Sequence, residues 1–157
     1  MIKFHKISKE QMEEDFEKEF EIKLPERGTK LAAGYDFFAP YDITLAPGSV
    51  EKIPTGIKVE MPDDMWLGIH PRSNHGFKYA LRLLNTVGVI DADYIHSDNE
   101  GHIFIKLRNE GDKNLIIKKG EGMAQGIFRK YYLVEGDSFK EGDKRNGGFG
   151  STSVRFV

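Results

Sequence analysis

Residues 43–61 read ITLAPGSVEKIPTGIKVEM, and the spacing of their apolar side chains decides the fold class. Ile43 and Leu45 alternate with Thr44. Val50 and Ile53 follow, and then Ile57, Val59 and Met61 alternate with Lys58 and Glu60. A period of two puts one set of side chains on one face of an extended chain, as in a half-buried strand. Pro47-Gly48 separates the first run from the second, and Pro62-Asp63-Asp64 closes the third; both stretches favour tight turns.

The same texture continues outward. Ile103, Ile105 and Leu107 alternate with Phe104, Lys106 and Arg108, and residues 115–117 and 122–134 supply further strands. Residues 20–24 alternate apolar with charged and predict another strand, while residues 81–84 are too short a run to assign. Regular short strands divided by turns predict an all-β sandwich or barrel. One helix is expected, over residues 8–18, with Ser8 as its cap and Gln11 three residues on as in a capping box. Its few apolar positions predict a surface location. Residues 136–157 are rich in Gly, Asp, Lys, Ser and Thr and read as a flexible C-terminal arm. The chain is therefore read as a single domain: an N-terminal segment 1–19, a β core 20–135 and an arm 136–157.

Composition narrows the function. Of 157 residues, 23 are basic and 25 acidic, a net charge of −2 that gives no general attraction to nucleic acid or an anionic membrane. Without cysteine there is no disulfide, thiolate metal site or cysteine nucleophile, which removes the zinc-dependent nucleobase deaminases. No apolar run has the length of a signal peptide core or a bilayer span, so a cytoplasmic protein is expected.

Three stretches carry chemistry. In Pro71-Arg72-Ser73, an Arg beside a hydroxyl can bind phosphate oxygens, although an ordinary turn with a surface Arg looks the same. In residues 88–94, GVIDADY, Asp91 can orient and deprotonate water and Tyr94 can pack on a sugar, although a hairpin with two capping Asp has the same sequence. In residues 147–152, GGFGST, glycine amides and hydroxyls can wrap phosphate and Phe149 can cover a base, although a Gly-rich tail is the commoner case. No Lys precedes Ser151 and no helix can follow it, which separates this stretch from a P-loop.

The order of the pieces is more telling than any one of them. Residues 33–37 (AGYDF), 71–73 (PRS), 85–94 (NTVGVIDADY), 120–125 (GEGMAQ) and 145–152 (RNGGFGST) closely resemble the five ordered motifs of the trimeric dUTPase family, across residues 20–152. The resemblance implies a jelly-roll-like β-barrel and a homotrimer whose three active sites are each shared among subunits. It implies hydrolysis of dUTP to dUMP and pyrophosphate with Mg²⁺, cleansing the nucleotide pool and supplying dUMP for thymidylate synthesis. By resemblance Asp91 is the catalytic carboxylate and Tyr94 lies under the deoxyribose. Asn85 and the backbone of Val89, Ile90 and Asp91 form the uracil pocket. Arg72, Ser73, Asn74 and Gln125 hold the phosphates. Arg145, Gly148, Gly150, Ser151 and Thr152 clamp the γ-phosphate, and Phe149 stacks on uracil. Asp36 stands near the metal, acting through water, while Mg²⁺ is held by the triphosphate oxygens.

Four departures stand out. Residues 95–100 are an insertion where the family reaches a Gly, and are expected to lengthen the hairpin tip. By the same resemblance, Asn74 stands where the second motif often has Gly, Gly122 where the fourth often has Arg, and Ser153 where the fifth often ends in Gly. Two other functions fit parts of the pattern. A dCTP deaminase of the same fold would need a proton-carrying Glu, with Glu100 as the nearest candidate. A non-catalytic β-module would bind a protein partner through the N-terminal helix or the 95–100 insertion. His96 and His102, with Asp98 between them, are too loosely spaced to argue a metal site, and Trp66 reads as core or interface.

Overall fold

The computed structural model describes residues 1–16 and 20–137. In chain order these form β1 (Lys3–Lys6), α1 (Lys9–Asp15), β2 (Tyr35–Phe38), β3 (Ile43–Leu45), β4 (Val50–Pro54), β5 (Ile57–Glu60) and β6 (Met65–His70). Then come α2 (Ser73–Tyr79), β7 (Leu81–Leu83), β8 (Gly88–Asp91), a 3-10 turn (Ala92–His96), β9 (Phe104–Asn109), β10 (Leu115–Ile117) and β11 (Gly122–Lys130). The strands pair antiparallel in four ladders: β2-β11-β6-β8, β4-β9-β7, β1-β5 and β10-β3. Among the described residues these ladders do not close into one hydrogen-bonded barrel.

The period-two reading holds where a strand has a partner. In β9, Ile105 and Leu107 are buried while Lys106 and Arg108 are exposed. Each such aliphatic side chain contributes about 1.5–3 kcal/mol on burial, and Ile53, Leu67, Ile103, Ile105 and Met123 are all fully enclosed. Asn109 is buried in the same core but satisfied: its Nδ2 donates to the Leu45 and Lys113 carbonyls, and its Oδ1 accepts the Gly111 N–H. It knots β9 to β3 and to the turn before β10.

The sequence reading needs correction in four places. Residues 20–24 form no strand: Ile22 is buried as the alternation requires, but the segment lies over Gly56 rather than beside a partner strand. The run at 81–84 does pair, as β7 with β9. A second helix, α2, was not expected, because SNHGFKY has a Gly inside it and no 3.6-residue apolar period. The N-terminal helix spans Lys9–Asp15, with Ser8 Oγ accepting the Gln11 N–H at 3.1 Å; residues 17 and 18 lie outside the described part. It is docked rather than lying loosely on the surface, since Gln11 and Phe16 are both buried. Among the described residues no helix is long and apolar enough to cross a membrane.

Candidate active site

Two groups of the expected site residues form, at opposite ends of the four-stranded sheet. The first gathers at the end of β6. Asp36 of β2 faces Gln125 of β11, which in turn faces His70 of β6. The Arg72 guanidinium reaches back so that Nε lies 3.1 Å from Asp36 Oδ1, while Nη1 donates to the Gly122 carbonyl at 3.3 Å. The Gln125 side-chain amide donates to the Pro71 carbonyl at 3.0 Å, locking the chain that carries Arg72. Ser73 and Asn74 follow as the exposed first turn of α2. Asp36, expected near the metal, has one of its oxygens held by Arg72.

Two glycines make this cluster possible, and neither role was apparent in the sequence. A Cβ on Gly34 would sit 2.3 Å from the Gln125 Oε1, and a Cβ on Gly122 would sit 2.8 Å from the Arg72 Nη1. Gly34 therefore makes room for Gln125. Gly122, which replaces the family's Arg, lets Arg72 lie across its backbone. Beside Arg72 opens a cleft of ≈ 340 Å³ lined by Asn74, His75, Ile116 and Glu121. His75 is buried and its Nδ1 has no hydrogen-bond partner among the described residues. Burial, then the Arg72 charge, push its pKa below the ordinary value. Arg72 is thus the cation of this cluster near neutral pH.

The second group lies on β8. Among the described residues this strand pairs only with β6 and forms one edge of its sheet, so alternate N–H and C=O groups point away from the ladder. Val89 is exposed, Ile90 turns into the core, and Asp91 ends the strand half-buried. Asn85 is exposed in the turn between β7 and β8, where Thr86 takes a left-handed φ of 61°. Asp91 faces Trp66 across the ladder, and Trp66 faces Arg129, whose guanidinium lies 5.9 Å from the indole. Trp66 is half-buried on this face rather than in the core.

The two groups are not adjacent within one chain. Asp91 is level with Trp66, whereas Gln125 is level with His70, four residues further along β6. At about 3.3 Å per residue that is roughly 13 Å along the strand alone. To share one triphosphate within a single chain, the side chains of the two groups would have to reach across that span.

Tyr94 and the insertion differ from expectation. Tyr94 is 3% exposed, held in the 3-10 turn with its hydroxyl donating to the His102 carbonyl at 2.9 Å. Residues 95–100 do not lengthen a hairpin tip. They coil into a closed loop, with hydrogen bonds from the Ser97 N–H to the Tyr94 carbonyl and from the Glu100 N–H to the Ser97 carbonyl. Glu100 and Gly101 are consecutive residues with left-handed φ, 58° and 73°, and they turn the chain back under its start. A Cβ on Gly101 would lie 2.6 Å from the Ile95 Cα.

Glu100 itself accepts the Ser8 N–H at 3.1 Å and pairs with Lys58 Nζ at 2.6 Å. Those hydrogen bonds, Lys58 first, hold its carboxyl down at about 2. The carboxylate of Glu100, the nearest candidate of the deaminase reading, is thus already engaged by Ser8 and Lys58. His102 is fully buried, with Nε2 accepting the Gly56 N–H at 2.9 Å and Nδ1 lying 2.5 Å from Asp15 Oδ2. A metal shared between His96 and His102 is thereby excluded, since both ring nitrogens of His102 are taken. Among the described residues no three His, Asp or Glu converge to hold a metal ion. Arg145, Gly148, Phe149, Gly150, Ser151, Thr152 and Ser153 lie outside the described residues.

The model of the dUTPase family matches residues 20–153. A deoxyuridine 5'-triphosphate nucleotidohydrolase of Lactococcus lactis is 43% identical over 134 residues, 85% of this chain and 89% of that protein. One of Rickettsia massiliae is 39% identical over 140 residues, 86% of this chain and 91% of that protein. The crystal structure of a dUTPase from Streptococcus mutans superposes with a TM-score of 0.69 at 34% identity, covering 85% of this chain and 98% of that one. A dUTPase of Staphylococcus bacteriophage 80alpha with dUpNHpp has the same fold, at a TM-score of 0.67 and 22% identity, covering 91% and 98%.

Proposed function

The chain belongs to the dUTPase family and hydrolyses dUTP, and on that premise we propose that Asp91 holds the attacking water, in an active site completed by a second copy of the chain. The observation that carries the proposal is the separation within one chain: a preassembled phosphate cluster stands at one end of β6 and the Asp91 edge strand at the other. The reaction needs both around one nucleotide, and the hairpin of a neighbouring subunit supplies what the chain's own hairpin is too far away to give. Tyr132, Leu133 and Val134 are strongly exposed just before the arm, an apolar strip that subunit contact would cover. A homotrimer fits these needs, with the arm residues Arg145 to Thr152 closing over a site on another subunit.

At that site the outward backbone groups of β8 read uracil, as donors and acceptors fixed by the sheet. A thymine methyl would meet the strand, and cytosine would present a donor where uracil has an acceptor. Mismatches of that polar kind reach factors of roughly 10⁴ in favourable cases. Arg72, Gln125, Ser73 and Asn74 hold the triphosphate, and Asp91 orients water in line with the α-phosphorus and accepts its proton. Asp36 stays paired with Arg72 and steadies its charge. The oxygen donors here suit a hard cation carried by the substrate more than a protein cage. Mg²⁺ bound to the triphosphate would neutralise charge on the departing pyrophosphate. The cellular role is removal of dUTP from the cytoplasmic pool and supply of dUMP for thymidylate synthesis.

The test is pyrophosphate release from dUTP, dCTP, dTTP and UTP with Mg²⁺, beside Asp91→Asn. Release from dUTP alone, with kcat lowered by about 10³-fold in the variant, supports the assignment. Undiminished turnover in the variant would move the water-holding role elsewhere.

A further inference from the structure

The loop 95–101 has no counterpart in the family's motif, yet it encloses the polar end of Tyr94. The Asn99 Nδ2 donates to the Tyr94 hydroxyl at 2.9 Å and leans on the His102 carbonyl at 3.4 Å, the same carbonyl to which the Tyr94 hydroxyl donates. The Asn99 Oδ1 accepts the Gly101 N–H at 3.2 Å, and its carbonyl accepts the His102 N–H at 3.0 Å. Asn99 is therefore fixed by the turn it sits in, and both hydrogen-bonding directions of the Tyr94 hydroxyl are used. The amide also reaches a residue whose side chain is anchored in its turn: His102 is held by Gly56 and Asp15.

We propose that Asn99 is a positioning residue for sugar selection: it holds the Tyr94 hydroxyl, and so sets how far the ring stands from C2′ of the bound nucleotide. This rests on the reading of Tyr94 as the wall beneath the deoxyribose. Tyr94 is 3% exposed, so little of it is offered to a substrate, and selection against a 2′-hydroxyl depends on where that little is held. A phenol held by one hydrogen bond can swing about that bond and give way to a 2′-oxygen. A phenol anchored as donor and as acceptor cannot do so without breaking a buried hydrogen bond.

The test compares kcat/KM for dUTP and UTP in Asn99→Ala, Tyr94→Phe, the double variant and Tyr94→Ala. Asn99→Ala is expected to lower the dUTP/UTP ratio about tenfold, Tyr94→Phe by at least that factor because it also removes the bond to the His102 carbonyl, and the double variant no further than Tyr94→Phe. A purely structural role for Asn99 would slow both substrates equally and leave the ratio intact. If Asn99→Ala does not fold, Asn99→Asp takes its place, since it keeps an oxygen for the Gly101 N–H and loses the donor to Tyr94. An unchanged ratio in Tyr94→Phe, or additive losses in the double variant, overturns the inference. An unchanged ratio even in Tyr94→Ala instead overturns the placement of Tyr94 under the sugar.

Discussion

The phosphate cluster and the Asp91 hairpin are built on different principles. Arg72, Asp36 and Gln125 are anchored by one another and by strand backbones, with Gly34 and Gly122 leaving the room. The hairpin hangs on the edge of the same sheet, and its far end is fixed by residues from outside it: Glu100 by Ser8 and Lys58, His102 by Gly56 and Asp15. One half is self-supporting, and the other borrows its rigidity from the N-terminal segment and from residues 56–58. A triphosphate brings many charges to one place and tolerates a compact, rigid cradle. Recognition of a base and a sugar needs an extended edge, and edges need outside support.

This contrast predicts unequal failures. The largest loss after that of Asp91 is expected for Arg72→Ala. It removes the cluster's cation and leaves Asp36 without its partner, so kcat/KM for dUTP should fall by about tenfold to 100-fold with no loss of dUTP/UTP selectivity. Steady-state kinetics on both nucleotides checks this, and a change in sugar selectivity would show that the halves are coupled within the site. Gly101→Ala should act in the opposite sense. The left-handed φ of 73° and the 2.6 Å approach to the Ile95 backbone oppose any side chain, and destabilisation of about 2–3 kcal/mol is expected. Thermal unfolding should show a Tm lower by roughly 5–10 °C. Gly122→Ala is milder, because the atom in the way is the flexible end of Arg72. A rise of a few-fold in KM with kcat nearly unchanged is expected.

The sequence disclosed the two halves unevenly, for the same reason. Alternation in residues 43–61 and 103–108 disclosed strands because each face meets a different medium, and motif order disclosed the residues that touch substrate. What alternation lacks is partners. Residues 20–24 alternate and bury Ile22, yet no strand pairs with them, and β7 pairs despite having three residues. Helix α2 carries no apolar period to read. Within the site, Gly34 and Gly122 matter through the atoms they lack, and their clash partners are 91 and 50 residues away in sequence. The insertion looked like spare length because its contacts run to residues 8, 58 and 94; only the fold shows that it closes on itself.

The smallest effect, and the one that most sharpens the contrast, is the response of the hairpin's support to acid. His102 is fully buried, and its Nε2 accepts the Gly56 N–H, so its proton sits on Nδ1 facing Asp15 and the ring is neutral. Burial, partly opposed by Asp15, holds its pKa below the ordinary 6.5. The unfolded chain therefore binds this proton more readily than the folded one. The stability that depends on the neutral ring is complete above about 6.5 and declines as pH falls below it. Glu100 acts in a lower window: depressed from 4.5 to about 2, its contribution is complete above 4.5 and is lost on the way down to about 2. Between pH 7 and 5, Tm should fall in the parent chain and fall less in His102→Gln, whose amide keeps a donor and an acceptor without titrating. Protease cleavage of the N-terminal segment should rise over the same interval, while phosphate-cluster variants such as Gly122→Ala keep the parental slope. An identical slope in His102→Gln would show that the N-terminal segment is held by its apolar contacts, Phe16 above all, and that the hairpin is as self-supporting as the phosphate cluster.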